Sequence, residues 1–488
     1  MLRIDQAILA RAAAAPDAPA LWDDGSPAEA AGAPVPLTYG ALAGRIAAFR
    51  DRFAARPRPV AIALADPASD VVAGWLGVFA ARGVVALANP DLPAATLAAL
   101  GRAYRPDFWL RAADRTPPVA GLRWESFGGA ALAEAEGAAE PPHPDLALLL
   151  FTSGSTGAPK AARLSAAAVA HAAQAVAVSL DLDADARAAL HLPLHYSYGM
   201  SVVHSHLVAG GSAMLTALSP ARAEFWTRAR AVAATTFPGV PAHYQMLERL
   251  RLDPLALCPS LRQMTQAGGR LPEATVRRFA AAMAAQGGRF HVMYGQTEAG
   301  PRIACHAVAP DGPADAAGRA LPGGRLSVRD ENGGALAPGE TGEIFYEGPN
   351  VMMGYAEDRA DLALGDVARG ALATGDVGRL DADGLLYVTG RSKRFAKIAG
   401  LRCNLDHVER LAAAIAAPVA ALASEDRLTL VWERGAEPDL GAAVRRLCRE
   451  TALPVAALRP TVVERLPLLA SGKPDYAALR RAVGLPEA

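Results

Sequence analysis

A chain of 488 residues exceeds what one ordinary hydrophobic core organises, so two or more domains are expected. Its 49 basic side chains are matched by 49 acidic ones, which removes the electrostatic basis for a nucleic-acid partner. Hydrophobic residues make up 52% and no apolar run is long enough to span a bilayer, the stretch Ala12 to Ala15 being short and flanked by charge. The N-terminus carries Asp5 early and lacks the apolar core of a signal peptide. Cys258, Cys305, Cys403 and Cys448 are scattered, without metal-ligand spacing or a disulfide framework. A reduced, cytoplasmic protein is expected.

In chain order, Val60 to Leu64 reads as a buried strand, followed by a helix from about Ala68 to Arg82. A second strand, Gly83 to Leu87, runs to the turn Asn89-Pro90-Asp91. Leu146 to Phe151 is a third strand, leading through a polar loop to a helix that begins near Ser165. This alternation predicts an α/β fold, with parallel sheets covered by helices and ligands gathered at the carboxyl ends of the strands. From about Gly318 the texture changes. Gly323-Gly324, Asn332-Gly333-Gly334 and Pro338-Gly339 punctuate short runs such as Glu343 to Tyr346, which predicts hairpins forming a small barrel-like or curled sheet. After a strand at Gly384 to Thr389 comes the basic segment Gly390 to Lys397, read either as a solvated linker or as a pivot. The last 90 or so residues predict a small α+β domain. The expected division is 1–392 and 394–488, with a hinge at Lys393.

The loop after Phe151 reads Thr152-Ser153-Gly154-Ser155-Thr156-Gly157-Ala158-Pro159-Lys160. Its glycines let backbone N–H groups converge on one point, the hydroxyls add donors, and Lys160 adds a charge. A polyphosphate is the natural guest. The lysine spacing differs from that of a Walker loop, and Pro159 opposes smooth entry into a helix. Four further segments carry polar chemistry. Met293-Tyr294-Gly295-Gln296-Thr297-Glu298 offers an aromatic for stacking on a base and a carboxylate for magnesium. Asp376, after Thr374-Gly375, suits two ribose hydroxyls. Gly390 through Gly400 is the basic junction, and Lys473 sits on the turn Ser471-Gly472-Lys473-Pro474.

In this order the five motifs resemble the adenylate-forming superfamily, which includes acyl-CoA synthetases, peptide-synthetase adenylation domains and firefly luciferase. The likeness extends to Leu37-Thr38-Tyr39, Asn89-Pro90, Gly342-Glu343, Gly348-Pro349 and Gly354-Tyr355. It implies a large N-terminal AMP-binding domain hinged to a small mobile C-terminal one. It implies ATP and Mg²⁺ as cofactors, a small-molecule carboxylic acid as substrate, and coenzyme A or phosphopantetheine as thiol co-substrate. An acyl or peptidyl carrier protein is a further partner within its scope. By the same resemblance Thr152, Ser153, Gly154, Ser155, Thr156, Gly157 and Lys160 would hold the β- and γ-phosphates. Tyr294 would pack on adenine beside Ala267, Gly268 and Gly269, within the motif that includes Gly295 and Gln296. Thr297 would touch the α-phosphate and Glu298 would coordinate magnesium. Asp376 and Arg391 would bind ribose. Lys473 would serve adenylation, Lys393 would be the hinge, and Lys397 and Gly400 would face the site in the thiol step.

The acid pocket is assigned to His195, Tyr196, Tyr198, His204, Gly239 and Gln266, with Val240, Pro241 and Ile303 beside them. Tyr196 stands where amino-acid-activating domains carry an aspartate, and no acid occurs between Asp185 and Glu224. A buried ammonium would lack its counter-charge, which disfavours α-amino acids. His204 and His206 form a His-x-His pair, read as packing or pocket lining rather than metal ligation. The function implied is ATP-dependent formation of acyl-AMP followed by thioester formation. The alternatives are a ligase with a non-thiol acceptor, forming an amide or stopping at acyl-AMP, an inactive binding homologue, and a P-loop NTPase.

Overall fold

Val60–Leu64 is buried along its whole length, which a strand achieves only when both faces of its sheet are covered. A computed structural model describes the chain over residues 3–23, 35–115, 118–137, 140–152, 160–391, 394–398, 401–424, 427–451, 453–469 and 474–485. Within it that strand lies inside an eight-stranded sheet. The spatial order is Gly354–Ala356, Lys160–Ser165, Leu146–Thr152, Val84–Ala88, Val60–Leu64, Phe108–Ala112, Ala130–Glu134 and Trp124–Phe127. The four central strands, Leu146–Thr152 through Phe108–Ala112, are parallel, and the outer ones pair antiparallel. The expected helix forms over Ser69–Ala80. Two glycines let it pack closely: a Cβ at Gly77 would lie 2.3 Å from Phe49, and one at Gly74 2.3 Å from Leu110. A nine-stranded sheet has Arg187–Leu190, Ser212–Leu215, Thr236–Gly239, Gln263–Gln266 and Arg289–Tyr294 as its parallel centre.

One local expectation is corrected. The sequence predicted strand, loop, then helix, but Lys160–Ser165 is itself a strand, antiparallel to Leu146–Thr152, with Thr152 opposite Lys160. Helix Ala166–Ser179 follows only after Ser165, whose hydroxyl accepts from Ala168 N at 3.0 Å. Within this strand Arg163 is fully buried. Its guanidinium donates to the carbonyls of Tyr355 (3.0 Å), Met353 (3.1 Å), Gly365 (3.2 Å) and Leu364. A cation held by backbone dipoles is what makes this strand possible.

The chain divides into two units, Met1–Arg325 with Tyr346–Leu372, and Leu326–Phe345 with Ala373–Ala488. Both large sheets belong to the first. The hairpin-rich stretch forms a four-stranded sheet in the order Arg325–Arg329, Gly342–Glu347, Ala371–Leu380, Leu386–Arg391. In the tail, helices Leu405–Ala413 and Leu440–Thr451 share a core with the three-stranded sheet Val419–Ser424, Arg427–Glu433, Leu458–Val463, where Trp432 is fully buried. The fold is mixed α/β with a smaller α+β C-terminal portion. The expected hinge at Lys393 lies outside the described residues. Among the described residues no helix is long and apolar enough to cross a membrane.

Candidate active site

Three parallel strands of the first unit end side by side. Gly239 pairs in register with Gln266, and Gln266 with Val292, two residues before Tyr294. The carboxyl edge thus carries Gly239, the turn Ala267-Gly268-Gly269 and the segment Tyr294 to Glu298 together. Gln266 donates from Nε2 to the Gly269 carbonyl at 2.7 Å and fixes that turn. Gly268 has φ +87°, and a Cβ there would come 2.5 Å from the Tyr196 hydroxyl. Gly239 is needed for a different reason, since a Cβ would press on the Tyr244 ring at 2.7 Å. At Gly295 a Cβ would meet the Pro301 carbonyl at 2.0 Å, so the Tyr-Gly pair lets the chain fold back on itself.

A continuous set of contacts runs from the phosphate-loop lysine to Thr297. Lys160 places Nζ 3.7 Å from the centroid of the Tyr355 ring. Tyr355 sits on Gly354–Ala356, which pairs with the Lys160–Ser165 strand, and it donates its hydroxyl to Glu298 Oε1 at 2.8 Å. Burial raises the Tyr355 pKa, and the neighbouring carboxylate raises it further, so the phenol stays protonated as the donor. One residue back, Thr297 Oγ1 lies 3.3 Å from Ser197 Oγ, joining the Tyr294 to Glu298 segment to the Tyr196 to Tyr198 segment. Asn350 secures the turn beyond: its Nδ2 donates to the carbonyls of Ala299 (2.5 Å) and Arg302 (2.8 Å), while Tyr346 donates to its Oδ1 at 2.7 Å. The Asn350 amide is therefore satisfied on both sides.

On the acid side, Tyr198 is fully buried, its hydroxyl within reach of Thr265 O (3.0 Å) and Thr265 Oγ1 (2.8 Å). The Arg302 guanidinium lies 3.9 Å from the centroid of its ring. Burial pushes the Tyr198 phenol up to about 12. Tyr196, Tyr198, Gly239 and Gln266 are thus gathered in one neighbourhood. His195 is half-buried, its Nδ1 without a hydrogen-bond partner, and burial lowers its pKa to about 4. His204 is placed differently. It packs between Trp75 and Phe79, each 6.1 Å away by ring centroid, and borders a small cavity with Leu148, Met200 and Gly300. Next along, His206 bonds the Val202 carbonyl at 2.9 Å, as a core histidine does. Among the described residues no cluster of three His, Cys, Asp or Glu side chains could hold a metal.

In the second unit, Asp376 and Arg391 are cross-strand partners, Arg391 Nε lying 3.5 Å from Asp376 Oδ1. Lys397 is on the hairpin Phe395–Ile398 with Leu401–Asn404, but its side chain lies outside the description. Ser153, Gly154, Ser155, Thr156, Gly157, Lys393, Gly400 and Lys473 lie outside the described residues altogether. A bridge between Leu468 and Pro474 brings together the two flanks of the segment containing Lys473. Sequence reasoning missed Ser197, Arg302 and Asn350, and gave Tyr355 no role. The one local signal was an arginine set between Gly300-Pro301 and the apolar Ile303-Ala304.

Comparison with known proteins agrees with this geometry. The family model described as AMP-binding enzyme matches residues 8–356. A probable CoA ligase (CCL9) of Humulus lupulus is 28% identical over 342 residues, covering 67% of this chain and 64% of that protein. The indoleacetate–CoA ligase of Aromatoleum aromaticum is 32% identical over 303 residues, 60% of this chain and 57% of that one. The matched region therefore spans less than two thirds of these relatives' own length. The AMP complex of the O-succinylbenzoate coenzyme A synthetase of Bacillus subtilis has the same fold, with a TM-score of 0.74 at 21% identity and 96% of each chain covered. With the motifs, the strand-end geometry and the family match in agreement, the chain belongs to the AMP-binding enzyme family.

Proposed function

We propose that the chain uses ATP to activate a carboxylic acid as acyl-AMP, releasing pyrophosphate, and then passes the acyl group to a thiol. The observation that carries this is the chain of contacts Lys160, Tyr355, Glu298, Thr297 and Ser197. It connects the end of a phosphate loop to a carboxylate, a hydroxyl and the acid-side segment within one unit. The CoA ligases among the relatives support the thiol step. Glu298 fits magnesium as a single carboxylate whose second oxygen keeps its lone pairs, since Mg²⁺ is usually held by one or two carboxylates plus substrate phosphates. When bound, the ion would offset negative charge on the phosphates. Lys160 and the loop residues Thr152 to Gly157 grip the departing phosphates, and Tyr294 packs against the base. Asp376 and Arg391 hold the ribose hydroxyls. Lys473 steadies the carboxylate as it approaches an anionic α-phosphate, a contact worth most in the transition state. Lys397 and Gly400 serve the second step after movement about Lys393. The acceptor is coenzyme A or the phosphopantetheine arm of a carrier protein.

Acid-dependent release of pyrophosphate is the direct test, and release of orthophosphate would refute adenylation. Lys473→Ala is expected to lower adenylate formation by about 100-fold or more while sparing transfer from preformed acyl-AMP. Equal loss of both half-reactions would remove Lys473 from its role. Coenzyme A consumption, set against loading of a phosphopantetheinylated carrier, assigns the acceptor.

A further inference from the structure

Arg302 is 3% exposed, and among the described residues no carboxylate pairs with it. Its Nε has no hydrogen-bond partner. The groups that face the guanidinium are Tyr198, Tyr196 and Cys305, all of which burial keeps protonated and neutral. Guanidinium does not lose its proton in proteins, so a full positive charge sits in the interior, compensated by the Tyr198 ring face and a hydrogen bond with the Tyr198 side chain but by no anion among the described residues. Such a charge is costly unless an anion completes it. The backbone that presents it is held firmly. Asn350 binds the Arg302 carbonyl at 2.8 Å, and Pro301 lies against Gly295 so closely that no Cβ fits. The side chain shares its surroundings with the acid-side segment, because Tyr198 lies under the guanidinium while its neighbour Ser197 contacts Thr297.

We propose that Arg302 selects acids with a second anionic group, a carboxylate or sulfonate, which it binds while the other carboxylate is activated. This rests on the adenylation proposed above. The guanidinium fork matches the paired oxygens of either anion, and the Tyr198 ring keeps the fork planar and oriented. Because one three-residue segment, Tyr196-Ser197-Tyr198, meets both Arg302 and Thr297, acids whose two anionic ends are a few carbons apart are the first to compare.

Hydroxylamine trapping of the acyl-adenylate is measured with matched pairs: succinate against butyrate, glutarate against valerate, 3-sulfopropionate against butyrate. The best dianionic acid is expected to exceed its isostere by about 10- to 100-fold in kcat/KM, the worth of one charge-assisted contact. In Arg302→Gln this ratio should fall toward one, with Arg302→Lys between the two. A wild-type preference for the uncharged tails, or an Arg302→Gln variant that keeps the ratio, overturns the proposal. A second readout needs no turnover. Millimolar succinate or glutarate should raise the melting temperature of the wild type but not of Arg302→Met, whether or not adenylation occurs. If no acid supports trapping yet this shift is seen, the adenylation reading falls and the anion site stands. Without ligand, Arg302→Met should melt at or above the wild-type temperature. A marked drop, with no anion-dependent shift in the wild type, would make Arg302 a packing residue and end the proposal.

Discussion

Gly268 is a single position where backbone and side chain demand the same residue. Its φ of +87° disfavours any L side chain, and the Tyr196 hydroxyl occupies the space a Cβ would need. Gly268→Ala is expected to cost about 1–3 kcal/mol in denaturant unfolding and to weaken acid-dependent turnover. Unchanged stability would show that Tyr196 swings away freely. Tyr355 is separable into two functions. Tyr355→Phe keeps the ring face for Lys160 but removes the donor to Glu298. Adenylation kcat/KM should drop about 10-fold, the scale of one hydrogen bond to a charged group, whereas Tyr355→Leu should also raise the KM for ATP. Equal KM values in the two variants would argue against a role for the ring.

At the scale of elements, the most legible parts of the sequence were those whose burial is uniform. Val60–Leu64 and the Leu146 to Leu150 part of its neighbour are apolar because both faces are covered, and the helix between Ala68 and Ala81 was read nearly to its ends. The strand Lys160–Ser165 was not legible. Its Arg163 looks like surface chemistry, and the carbonyls that satisfy it lie about 190 to 200 residues further on. The site divides in the same way. Tyr196, Gly239, Gln266, Gly268 and Thr297 could be nominated from motifs and from the resemblance they carry. Asn350 and Arg302 could not be nominated, because the backbone and aromatic groups they contact are met only in the fold. Arg163→Met should destabilise the first unit by about 3 kcal/mol or more, since it strands buried carbonyls in the segment that carries Tyr355. Urea unfolding measures this, and a loss below about 1 kcal/mol would mean that water or a neighbour replaces the guanidinium.

Across the whole molecule, buried histidines of the first unit and Glu409 of the second contribute pH responses of opposite sign. In the first, burial lowers His204 to about 3 and His206, His243 and His291 to about 4, from 6.5. The unfolded chain then binds more protons than the folded one, so stability is intact above about pH 6.5 and is lost on acidification toward 4. In the second, burial outweighs the Arg394 pairing and raises Glu409 from 4.5 to about 6. Here the folded state holds the extra proton. Stability falls as pH rises from 4.5 to 6 and is recovered on acidification. Hydrogen exchange between pH 7 and 5 should show strands Arg187–Leu190 and Ser212–Leu215 losing protection, with Val419–Ser424 holding or gaining it. The same direction in both would refute the assignment, and Glu409→Gln should flatten the second response.

The carbonyl grip on Arg163 recurs at Arg58, which donates to His143 O at 2.7 Å and Leu146 O at 2.8 Å. Both fastenings are hydrogen bonds to backbone carbonyls rather than contacts with a side-chain carboxylate. Dissolved ions weaken an exposed pair such as Arg50–Asp51 by gathering around each partner, but a peptide dipole at contact distance inside the protein offers them no access. These two attachments should therefore keep their strength in molar salt, and concentrated brine should loosen the surface of this protein while leaving the anchoring of its loop-bearing strands untouched.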